Sequence, residues 1–174
     1  LAESVAQVDR LAAMVNDVLR SGSVAEQALR QEKRLRIDKL IAEVVADYTL
    51  LAKTRSMTFM VNTEPTTIRA NRDMMRHVIS NLVSNAVRHG DAGSVITITC
   101  SQHELAIENA CKPLTKQQLQ RVFDPFYRGS ATTKQHADSS GIGLYTVKML
   151  LDAKGLDYDF TPHGQGMRFV VRFG

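Results

Sequence analysis

Tryptophan is absent and aromatic residues fill only 6% of the 174 positions. That scarcity excludes the run of stacking side chains on which single-stranded nucleic acid is held. The 22 basic residues outnumber the 18 acidic ones for a net charge of +4. They are scattered, so the surplus permits an anionic ligand without marking a nucleic-acid surface. The two cysteines, Cys100 and Cys111, have no metal-site spacing and are expected to stay reduced, as in a cytosolic setting. No apolar run nears the roughly 20 residues that cross a bilayer, and no secretory signal is visible. The chain begins at Leu, which reads as a piece cut from a longer protein with membrane spans upstream. What remains is an ordinary hydrophobic share of 44% over a length that suits one domain plus an appendage.

The periodicities divide that length. Leu1, Val5, Val8, Leu11, Val15 and Val18 recur at three- and four-residue steps close to a heptad seam, so residues 1–20 read as a helix that needs a partner. Ser21-Gly22-Ser23 breaks it, and a polar linker runs to about residue 32. From Lys33 the pattern is mixed. A short strand over 34–37 precedes a helix capped by Asp38, whose apolar face carries Leu40, Ile41, Val44, Val45, Tyr48 and Leu51. Strands are expected over 56–63 and 66–70, with Pro65 between them. Asn71 caps a second amphipathic helix that ends near Gly90. Period-two alternation marks strands over 94–101 and 104–109.

Thr115-Lys-Gln-Gln118 is a capping box for a short helix. Residues 124–140 form the longest irregular stretch, of the kind that is functional or disordered inside a compact domain. A helix from Gly143 or Leu144 and two strands, 156–162 and 166–173, close the chain. Strands and helices mix without regular alternation. The expected fold class is α+β, a two-layer sandwich of a mixed sheet packed on helices, with domains at 1–32 and 33–174.

Candidate chemistry centres on the helix that ends at Gly90. Met75, Ile79, Leu82, Val83, Ala86 and Val87 share its apolar face, while His77, Asn81, Asn85 and Arg88 fall within an arc of roughly 80° beside it. A solvated helix face is the plain alternative. Carboxamide oxygens suit a hard cation such as Mg²⁺, and Arg suits phosphate. Ser140-Gly141-Ile142-Gly143-Leu144 opens a helix with two glycines, where backbone amides can approach a phosphate chain. Gly164-Gln165-Gly166 reads mainly as a hairpin turn. Phe123-Asp-Pro-Phe126-Tyr-Arg128 reads as two core anchors, Phe123 and Phe126, followed by a cation able to reach a phosphate.

Taken in order, Asn81-Leu-Val-Ser-Asn85, Ile107-Glu-Asn109, Phe123 to Arg128, Ser140 to Leu144 and Gly164-Gln-Gly166 resemble the N, G1, F, G2 and G3 boxes of bacterial sensor histidine kinases. The resemblance covers about residues 33–174. Residues 1–20 look like the second helix of that family's dimerisation and phosphoacceptor hairpin. It implies a Bergerat-type ATP-binding fold with ATP and Mg²⁺ as cofactors. Asn85 would ligate the metal and Asn81 help hold the phosphates. Arg88 matches the family's basic phosphate contact, His89 its aromatic beside the nucleotide, and Asn109 its adenine reader. Arg128 would approach the γ-phosphate, and Gly141, Ile142, Gly143 and Leu144 would line the phosphates through the main chain. It further implies a response regulator as partner, a homodimer in the full-length protein, no nucleic acid, and a cytoplasmic location below a membrane anchor.

Three positions depart from the family pattern. Asn109 stands for an Asp, Cys111 and Pro113 stand for glycines, and Ser139 replaces the first glycine of the lid motif. Asn109 can still accept a hydrogen bond but is neutral, so weaker adenine binding is expected. None of the five histidines, His77, His89, His103, His136 and His163, opens a His-Glu or His-Asp pair on a helix, which places the phosphoacceptor upstream of this chain. Related ATPases carry a water-activating Glu where this chain has His77, so phosphoryl transfer is expected over hydrolysis. A nucleotide-gated ATPase, and a degenerate scaffold that binds no ATP, are the competing readings.

Overall fold

The computed structural model describes residues 30–127 and 143–174. Seven strands and four helices follow in the order β1 (Lys33–Arg36), α1 (Ile37–Thr54), β2 (Thr58–Thr63), β3 (Thr67–Ala70), α2 (Arg72–His89), β4 (Val95–Cys100), β5 (Glu104–Ala110), α3 (Lys116–Arg121), α4 (Gly143–Lys154), β6 (Tyr158–His163) and β7 (Gly166–Arg172). Strands β1 and β3 pair antiparallel as a small ribbon, and the other five form a sheet in the order β2-β4-β5-β7-β6. Only β2 and β4 run parallel in that sheet, which makes it mixed. From residue 33 on, the expected strands and helices are found within a few residues of their anticipated ends. The seam-like helix over 1–20 lies outside the described residues.

One face of the sheet carries the core. Ile96, Ile98 and Cys100 of β4, Leu105 and Ile107 of β5, and Phe169 and Val171 of β7 meet Leu40, Ile41 and Val44 of α1, Val78, Ile79, Leu82 and Val83 of α2, and Val147, Leu150 and Leu151 of α4. Burying side chains of this size stabilises by about 1.5–3 kcal/mol each before entropy is subtracted. The result is a two-layer sandwich, as the mixed pattern implied. Alternation on β4 is the expected one: Ile96, Ile98 and Cys100 point inward, while Val95 is exposed.

Three details differ from the sequence reading. Asp38 does not cap α1. Arg36 holds the cap position, its side chain capping no backbone N–H, and Asp38 sits in the first turn. There its carboxylate accepts from the Thr66 backbone N–H at 3.0 Å and from the Arg36 guanidinium at 2.8 and 2.6 Å. The side chain therefore pins α1 to the entrance of β3 rather than closing its own helix. Leu51 is 37% exposed, and Ala52 takes the buried position at the end of α1. Phe126 is no core anchor: it is 49% exposed, with φ +66°. Phe123 does anchor, with its ring edge-on to Tyr158, Phe160 and Phe169 at centroid distances of 5.7, 6.5 and 6.2 Å.

Candidate functional site

Helix α2 sets the geometry. Asn71 caps it, its carboxamide oxygen accepting from the Met74 N–H at 3.0 Å. Met75, Ile79, Leu82, Val83, Ala86 and Val87 are buried as the apolar stripe requires. Asn81 and Asn85 lie on the flank, half-buried, one turn apart and therefore on one side of the helix. Arg88 is half-buried and His89 exposed in the last turn. Helix α4 packs against α2. The contact point bears on the chemistry: a β-carbon built on Gly143 would stand 3.6 Å from Asn81 Oδ1. The first residue of the glycine-opened helix thus lies beside the first of the two carboxamides, with the second a turn further along α2.

The other end of α2 meets β5. The Asp91 N–H donates to the Ala110 carbonyl at 2.7 Å, next to Gly90. Gly90 follows Asn81 by nine positions, so these two contacts are about 14 Å apart along the helix. Asn109 is half-buried on β5, opposite Met167 of β7. Its neighbour in the ladder, Gly166, is buried, and a β-carbon there would fall 1.9 Å from the Asn109 carbonyl oxygen. Reading Gly164-Gln-Gly166 as a hairpin turn was correct as far as it went, since His163 and Gly166 close the β6–β7 hairpin and Gly164 has φ +55°. The tighter constraint at Gly166 was not visible, because no local pattern reports which strand lies across it. Cys111 is half-buried, and burial pushes its thiol up while a hydrogen bond with the Asn109 side chain opposes that shift.

Of the ten candidate residues, the structure therefore sets Asn81, Asn85, Arg88 and His89 on one helix, Gly143 and Leu144 at the adjoining helix start, and Asn109 near the far end. Arg128, Gly141 and Ile142 lie outside the described residues. Among the described residues no three His, Cys, Asp or Glu side chains cluster as a metal site. The oxygen donors on offer are neutral carboxamides. They fit a hard cation that keeps most of its shell in water or phosphate oxygens, as Mg²⁺ does. A separate groove, lined by Thr67, Ile68, Arg69, Gln102, Lys154, Leu156 and Phe173, shares none of these side chains.

A further residue was missed from sequence. Arg55, just after α1, donates from Nη1 to the carbonyls of Val87 and of Arg88, the latter at 2.9 Å. These are carbonyls of the last turn of α2, which lack helical partners. Nothing in the sequence near Arg55 signals a contact across more than thirty residues.

The fold and its polar helix edge define a class. Residues 70–174 match the family described as histidine kinase-, DNA gyrase B-, and HSP90-like ATPase, and the chain belongs to that family. Within it, the curated relatives are sensor kinases. The chain is 30% identical over 172 residues to the sensor histidine protein kinase HK06 of Streptococcus pneumoniae, a match spanning 98% of this chain and 38% of HK06. It is 29% identical over 176 residues to the sensor histidine kinase CusS of Escherichia coli, spanning 98% of this chain and 37% of CusS. The chain therefore spans little more than a third of the length of these relatives. Among solved structures, the Acinetobacter baumannii histidine kinase AdeS superposes with a TM-score of 0.75 at 22% identity, over 97% of this chain and 80% of that one. That likeness shows the fold. Among the described residues no helix is long and apolar enough to cross a membrane.

Proposed function

We propose that residues 33–174 are the ATP-binding catalytic part of a sensor histidine kinase, which moves the γ-phosphoryl of ATP to a histidine for relay to a response regulator. The observation that carries this reading is the meeting of the Asn81–Asn85 edge of α2 with the Gly143 end of α4, some 14 Å from the β5 end where Asn109 stands. A nucleotide laid along that edge has its base near Asn109 and its phosphates near Asn81 and Gly143. Arg88 and His89 lie between.

In this arrangement the protein acts by positioning and charge neutralisation, as phosphoryl transfer requires. Asn81 and Asn85 offer oxygens and N–H groups to phosphate and metal. The backbone of Gly141, Ile142, Gly143 and Leu144 supplies donors at the start of α4, where the helix dipole favours an anion. Arg128 neutralises the terminal phosphate. Mg²⁺, when bound, shields the phosphate charge, and Asn85 is the residue assigned to hold it. Residues 1–32 contribute the second hairpin helix and linker. The whole protein is proposed to act as a membrane-anchored homodimer with a receiver domain as its partner.

Titration calorimetry with a non-hydrolysable ATP analogue tests this directly. Heat of binding that strengthens with Mg²⁺ is expected; no binding with or without Mg²⁺ leaves a scaffold. Steady ATP turnover by the chain alone would favour the ATPase reading. Incubation with γ-labelled ATP is expected to leave the chain unlabelled, because none of its histidines is expected to open a His-Glu or His-Asp pair on a helix.

A further inference from the structure

We propose that the free edge of β2 is a self-recognition surface, on which β2 of a second copy adds antiparallel and joins the two sheets. The backbone defines the offer. Thr58 donates to the Ser94 carbonyl at 3.2 Å, and Glu64 donates to the Cys100 carbonyl at 2.8 Å. In this parallel pairing the even-numbered residues 58, 60, 62 and 64 turn their amide groups toward β4. Phe59, Val61 and Thr63 then turn theirs to the open side, where no described strand pairs with them.

The side chains remove the usual protection. An edge strand is normally blunted by charge, proline or a bulge. Thr58-Phe-Met-Val-Asn-Thr63 has none of these over its length. Six large apolar side chains are exposed among the described residues, and five belong to elements that meet here: Leu50 and Leu51 at the end of α1, Met60 and Val61 on β2, and Val95 at the start of β4.

The occupant follows from self-complementarity. Antiparallel pairing about a two-fold axis through Val61 sets Val61 opposite its own copy and Phe59 opposite Thr63. Every outward amide then finds a partner, giving three hydrogen-bonded pairs. Met60 falls opposite Asn62, and Glu64 opposite the uncharged Thr58, so no like charges meet. Pro65, which has no N–H to offer, ends the ladder on each side. A six-residue strand pair covers less than the ~1,000 Å² that a stable specific interface exceeds, so the association is weak in isolation. It gains from any tether that raises the local concentration of a second copy.

The heptad-like pattern over residues 1–20 is expected to self-associate, so oligomeric state alone does not report on β2. Amide hydrogen exchange of the full chain, read residue by residue from dilute to concentrated solution, does. Phe59, Val61 and Thr63 are expected to slow several-fold with concentration, while Thr58, Met60 and Asn62 keep constant rates. The decisive variants are V61K and V61E, at a position already 41% exposed. Each alone sets like charges opposite each other across the axis and is expected to abolish the slowing; an equimolar mixture is expected to restore it. Concentration-independent exchange at the three outward amides would overturn the proposal. So would slowing that survives in V61K alone, or a mixture that restores nothing.

Discussion

Two glycines border the candidate cleft, and the space beside them differs. At Gly166 a β-carbon would lie 1.9 Å from the Asn109 carbonyl oxygen and 2.9 Å from the Ala110 Cα. Both are backbone atoms of the paired strand and cannot turn aside. At Gly143 the nearest neighbour would be Asn81 Oδ1 at 3.6 Å, an ordinary contact with the end of a side chain. The β5–β7 wall therefore cannot take a side chain at this position without a shift of its backbone. Among the described residues the α2–α4 wall has room for a methyl group, so packing against those residues does not account for this glycine. Close approach of a phosphate to the backbone is one explanation, and it belongs to the proposed function.

Substituting both positions tests that contrast. G166A should produce the largest effect, a loss of about 3 kcal/mol or more of stability by urea unfolding, because a backbone overlap has no cheap relaxation. An unchanged midpoint would remove the contrast. N85A comes next: affinity for the ATP analogue should fall about tenfold with Mg²⁺ present and much less without it, with folding untouched. If Mg²⁺ dependence persists in full, Asn85 does not serve the metal.

Asp38 supplies a control remote from the cleft. The Arg36 guanidinium, with help from the Thr66 N–H, holds its carboxyl well below the usual carboxylate range against the opposing effect of burial. The folded chain thus binds its proton later than the unfolded chain as acid is added. The stability this contributes is present above the unfolded value of about 4 and is lost as pH falls below it. D38N should cost about 1–2 kcal/mol at pH 7. Its deficit relative to the parent should shrink in acid, while the analogue binds unchanged at neutral pH. N71A, which removes the cap on α2, should cost about 1 kcal/mol. Last, G143A should shift stability by less than about 1 kcal/mol, in either direction, yet weaken triphosphate binding. A large stability loss there would show that both glycines serve packing alone.

How much of this was legible follows from the range of each signal. The α2 stripe, the Asn71 cap, the Thr115–Gln118 capping box and the β4 alternation are local patterns, and each is found where expected. The capping box has both of its bonds, Gln118 N–H to Thr115 Oγ1 at 3.2 Å and Thr115 N–H to Gln118 Oε1 at 2.9 Å. The pairing of Asn81 with Gly143 was anticipated only because the family resemblance joined two motifs 62 residues apart; neither motif alone points to the other. Failures came where a residue acts at a distance. Asp38 sits at a helix start and has the chemistry of a cap, but a backbone amide 28 positions later competes for it and wins. Phe126 is apolar and aromatic like Phe123, yet its backbone takes φ +66° and turns the ring away from the cluster that Phe123 joins.

The Arg55 contact extends that theme to the folding of the site itself. The α2 carbonyls it satisfies belong to the turn that carries Arg88 and His89, so the helix bearing the carboxamides gains a further cation at its end from a residue preceding β2. The stretch that matches the family begins at residue 70 and leaves Arg55 out. A domain trimmed to that boundary would carry every motif residue of the cleft, yet it would lose the α1 side chains packed on the central helix and the donor that closes that helix's last turn, at the end where the nucleotide base is proposed to lie.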